Sequence, residues 1–96
     1  MPPDEDPEFQ ARADAHIDLS NSQMEKASRG KVSASMMYSV ARFNAWVSAC
    51  GYDSGEEMRE KKSETIAYFL EQYSKMLEEN LDNYADNFER YMKRTN

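Results

Sequence analysis

The chain has little that would interrupt a helix. Three glycines and three prolines stand among 96 residues, and two of the prolines are Pro2 and Pro3. With Glu, Ala, Met, Lys and Ser abundant, that scarcity favours long helices. Cys50 is the only cysteine, which excludes an intrachain disulfide and a cysteine-based zinc site. His16 is the only histidine, so a tight zinc, iron or copper site lacks ligands. No apolar run approaches the roughly 20 residues of a membrane span. The start, Met1-Pro2-Pro3-Asp4-Glu5-Asp6, is acidic where a signal peptide is basic and then apolar. The expectation is a cytoplasmic protein. No phosphate loop, nucleophile elbow or zinc spacing is present.

Positive charge is also short. Twelve Lys and Arg face eighteen Asp and Glu, for a net charge of −6, and phosphate backbones repel a surface of that sign. The two local basic clusters, Arg59–Lys61–Lys62 and Arg90–Lys93–Arg94, are interleaved with glutamates. They read as solvated helix faces, so no nucleic-acid partner is expected. Apolar and aromatic residues, six tyrosines among them, suffice for one modest core, and the length suits one domain.

What is there is helical periodicity. Asp6-Pro7-Glu8 has the form of an N-cap, a first-position proline and an acid at the positive pole. Phe9, Ala13, His16, Ile17, Ser20, Met24 and Ala27 follow at three- and four-residue steps, and Gly30 reads as the stop. Ser33 reads as the next N-cap, with Val32 and Met37 as its hydrophobic staple. The stripe Met36, Val40, Phe43, Val47 and Cys50, flanked by Trp46 and several alanines, predicts a middle helix packed on more than one side and ending at Gly51. Ser54-Gly55-Glu56-Glu57 is a capping box. After it, Ile66, Leu70, Tyr73, Leu77, Leu81, Tyr84, Phe88 and Tyr91 continue with no glycine or proline. Acid-first pairs such as Glu71–Lys75 support that helix. Glu78, Glu79, Asp82 and Asp86 repel one another around Asn80, which gives an alternative with a break there and a short fourth helix.

The expected architecture is all-α: an antiparallel three-helix bundle with helices at about 7–29, 34–50 and 55–93. They form one domain over 6–93, behind a disordered acidic tail at 1–5. A third helix of that length outruns the second. Leu77, Leu81, Tyr84, Phe88 and Tyr91 then find no partner in their own chain, and a homodimer is expected to cover them.

Candidate chemistry is sparse. Asp14 and Asp18 share a helix face, but His16 lies on the opposite side, so the three do not converge on one metal. Cys50, on the apolar stripe near a helix C-terminus, reads as a buried structural thiol. His16, Ser20, Arg42 and Asn44, with Asn21 nearby, lie on or beside apolar stripes. They make either a small polar pocket between the first two helices or a hydrogen-bond network that fixes register. No catalytic, cofactor-binding or metal-binding residue is assigned. The sequence points to a non-enzymatic protein that associates with itself or an unidentified protein. The alternative is a ligand-binding or catalytic protein using His16, Arg42 and Asn44. A weaker third is a metal buffer on Glu78–Asp86.

The segments Ala15-His16-Ile17-Asp18-Leu19, Ala27-Ser28-Arg29-Gly30-Lys31-Val32-Ser33-Ala34-Ser35, Ala41-Arg42-Phe43-Asn44-Ala45 and Met76-Leu77-Glu78-Glu79-Asn80-Leu81 resemble the bacterial family called domain of unknown function 3144. The resemblance runs from about Phe9 to Met92, and its most distinctive stretch is Arg29 to Ser35. It implies a bacterial cytoplasmic helical protein and brings no activity, cofactor or catalytic residue.

Overall fold

The computed structural model describes residues 6–93, and the regular structure among them is entirely α-helical. In order come α1 (Phe9–Gln23), α2 (Arg29–Ala49), α3 (Gly55–Glu60), α4 (Lys62–Asp86) and α5 (Phe88–Tyr91). The acidic tail expected at 1–5, and Arg94 of the second basic cluster, lie outside the described residues. The chain divides into two compact units, Met1–Val47 and Ser48–Asn96.

In the first unit the helix ends depart from expectation. Asp6 does act near the start: its carboxylate accepts the Glu8 backbone N–H at 3.3 Å and pairs with Arg12. The helix itself begins at Phe9 rather than at residue 7. It stops at Gln23, well before Gly30. The Ser22 hydroxyl donates to the Leu19 carbonyl at 2.7 Å. Met24, Glu25 and Lys26 then donate to carbonyls three residues back. Side-chain competition for backbone groups and tightening to a three-residue turn are common ways for a helix to finish.

Ser28, not Ser33, opens α2. Its hydroxyl accepts the Lys31 N–H at 3.4 Å and its carbonyl accepts the Val32 N–H at 3.0 Å. Gly30 is the second residue of the helix, and no described glycine has a positive φ. Ser33 lies inside the helix, and so do Val32 and Met37, so the expected staple does not form. The reason is local. Two serines five apart offer the same cap, and choosing the earlier one adds helical hydrogen bonds while placing glycine in the first turn. Val32 is the one buried residue among those described, where a well-covered middle helix was expected. Ser20 and Met36 are half-buried, and the Ser20 hydroxyl reaches Met36 Sδ at 3.3 Å.

The second unit is organised by its caps. Ser54, extended at φ −158°, accepts the Glu57 N–H through its side chain at 3.0 Å, and the Glu57 carboxylate returns to the Asp53 N–H at 2.7 Å. Both partners of the capping box are thus used, with the glutamate reaching one residue further back. Tyr52 and Thr65 hydroxyls meet at 2.7 Å and tie the turn before α3 to α4. Tyr52, Met58 and Phe69 are half-buried and form what cover this unit has.

The long third helix is neither continuous from 55 to 93 nor broken at Asn80. It is interrupted at Lys61 and at Asn87, one residue each. Through Asn80 the helix runs unbroken, and the Asn80 amide donates to the Met76 carbonyl at 2.7 Å. Asn87 does the same to Asn83 at 2.9 Å, yet its backbone sits at φ −117°, ψ 27°. Near a helix end few i→i+4 bonds remain to outvote a poor helix former, whereas at Asn80 turns on both sides hold it.

Candidate functional site

Among the described residues, no hydrogen bond links the side chains of His16, Ser20 and Arg42 to one another. His16 is exposed on α1, and no side-chain hydrogen bond or ion pair involves it among the described residues. Ser20 turns to Met36, as above, and Asn21 is exposed. Asn44 is half-buried and already engaged. Arg42 is exposed on α2, where it lines an open depression with Tyr38, Ser39, Phe43, Ala45 and Trp46. Cys50 carries an exposed free thiol, not the buried one expected. It lies one residue past the end of α2, and Val40, Phe43 and Val47 of the same stripe are exposed as well. Among the described residues no three His, Cys, Asp or Glu side chains could share a metal ion.

What the helices present instead is apolar and aromatic surface. On α2, Tyr38, Arg42 and Trp46 are four apart and form one row along the helix. Tyr38 is 69% and Trp46 63% exposed, and the Phe43 and Trp46 rings lie 5.7 Å apart at a tilt. Helical spacing sets Trp46 only at the edge of a core stripe and does not single out Tyr38. The signal it missed is charge: from Lys26 to Tyr52 there is no Asp or Glu, in a chain with eighteen.

On α4 and α5 a stripe of large apolar side chains is exposed. Leu81 is 61%, Phe88 53% and Tyr84 50% exposed, and Leu77 and Tyr91 are exposed as well. Tyr84 and Tyr91 pack edge to face with centroids 4.9 Å apart, and the Arg90 guanidinium stands 5.3 Å from the Tyr91 ring centre. The Tyr84–Tyr91 pair spans the Asn87 interruption. Beside it runs a second row, Glu78, Asp82 and Asp86, again four apart, and no Lys or Arg occurs between Lys75 and Arg90. No helix among the described residues is long and apolar enough to cross a membrane.

Comparison with known proteins adds a family and a fold. The family described as "Protein of unknown function (DUF3144)" matches residues 9–85. A solved structure titled as the NMR structure of the protein NB7890A from Shewanella sp is similar at 37% identity and a TM-score of 0.76, covering 92% of this chain and 94% of that one. No curated protein matches the chain.

Proposed function

The chain belongs to the DUF3144 family of proteins of unknown function, and on that premise we propose that it is a non-enzymatic helical protein of the bacterial cytoplasm that works by self-association. The observation that carries this reading is the balance of cover. Among the described residues Val32 alone is buried, while large apolar side chains on every helix of more than six residues are 42–69% exposed. Burying one such side chain is worth about 1.5–3 kcal/mol, so leaving so many in water is a large loss for a free chain. A homodimer that covers Leu77, Leu81, Tyr84, Phe88 and Tyr91 recovers much of it. The antiparallel three-helix bundle and the single domain over 6–93 belong to the same proposal, with α1, α2 and the run α3–α5 as members.

Light scattering of the full-length protein and of a truncation after Glu79 tests it. The full chain is expected to be a dimer and the truncation a monomer. A full-length monomer at tens of micromolar overturns the reading.

A further inference from the structure

We propose that the occupant of the α4 stripe is the Tyr38–Arg42–Trp46 row of a second copy of this chain, with Arg42 set against Asp82 and Glu78. The inference rests on the self-association reading and says which surfaces meet. Tyrosine, arginine and tryptophan are the three residue types most enriched at the energetic centres of protein interfaces. Here they stand consecutively on one row of α2, the first and last of them more than 60% exposed. A ridge of side chains four apart packs into the groove beside a similar ridge on another helix. On α4 the Glu78–Asp82–Asp86 row borders Leu77 and Leu81 and offers such a groove, apolar on one wall and acidic on the other.

Charge selects this pairing over the alternatives. A second α4 laid on the first, in either direction, brings a segment with acids and no base between Lys75 and Arg90 against its own copy. Like charges so placed are unfavourable. The α2 surface is the complement: Arg29, Lys31 and Arg42 are its only charges. Area agrees. A side chain of this size at half exposure leaves on the order of 80–100 Å² uncovered. Tyr38, Phe43 and Trp46 together with the five side chains from Leu77 to Tyr91 thus offer about 650–800 Å² per copy, against roughly 800 Å² per partner in a standard interface. Each copy carries both surfaces, so a two-fold pairing of them makes two identical contacts.

The test is a charge exchange read in trans. Arg42→Glu and Asp82→Arg are made singly, mixed, and combined in one chain, with self-association followed by sedimentation equilibrium and helicity by circular dichroism. Each single variant is expected to keep its helicity and to weaken its dimer at least tenfold. An equimolar mixture of the two restores wild-type affinity, because both contacts of the mixed dimer then pair opposite charges. A single variant that dimerises like wild type overturns the proposal. Rescue in the doubly substituted chain without rescue in the mixture overturns it too, and places the contact within one chain. A monomeric wild-type protein is the separate failure of the self-association reading itself.

Discussion

Serine positions decide where helices begin, and the two candidates before and within α2 behave differently. Ser28→Ala removes the side-chain acceptor of the Lys31 N–H and is expected to cost about 0.5–1 kcal/mol. At roughly 4–8 °C per kcal/mol for a domain of this size, the melting temperature falls by several degrees. Ser33→Ala, inside the helix, leaves it unchanged or slightly higher. Gly30→Ala sharpens the contrast. Nothing lies within 4 Å of an added Cβ and φ is not positive, so the substitution stabilises by about 0.4–1 kcal/mol. A helix that ended at Gly30 in the left-handed conformation gives the opposite sign. Thermal melts of the three variants by circular dichroism decide the matter.

Within elements, the two asparagines of α4 and its end make a matched pair. Asn80→Ala is expected to leave the pattern of slowly exchanging amides in α4 intact, since the helix already runs through that position. Asn87→Ala, at the interruption, is expected to join α4 to α5 and extend amide protection into Phe88–Tyr91. Hydrogen exchange followed by NMR reads both, and unchanged exchange at 88–91 in the Asn87 variant counts against this account of the break. At the other end of the unit, Tyr52→Phe removes the hydroxyl that meets Thr65. A half-buried hydrogen bond of this kind contributes about 0.5–1.5 kcal/mol. The expected fall in melting temperature is correspondingly small, with helicity retained.

At the scale of the whole molecule, assembly and stability are one measurement. A chain that gains its cover from a second copy is stabilised by mass action, so its melting temperature rises with concentration. A tenfold increase in protein adds about 1.4 kcal/mol to the apparent stability of a dimer, or several degrees at this size. A melting temperature independent of concentration identifies a monomer that is stable alone and removes the proposed dimer.

Local signals were legible in the residues themselves. The scarcity of glycine and proline determined an all-α chain, Gly51 stood next to a helix end, Ser54 and Glu57 announced their cap, and the stripe from Leu77 to Tyr91 marked itself by spacing. These depend on hydrogen bonds and side-chain geometry within about four residues, which sequence order fixes directly. Other outcomes needed the folded backbone. Whether Ser28 or Ser33 caps α2, and whether Asn80 or Asn87 interrupts the last helix, turns on how many helical hydrogen bonds each choice keeps. The fate of His16, Arg42, Asn44 and Cys50 also depended on the tertiary structure. A wheel position says which residues share a face. Only the packing of one element against another decides which of those faces is covered, and here it left Arg42 in the open between Tyr38 and Trp46.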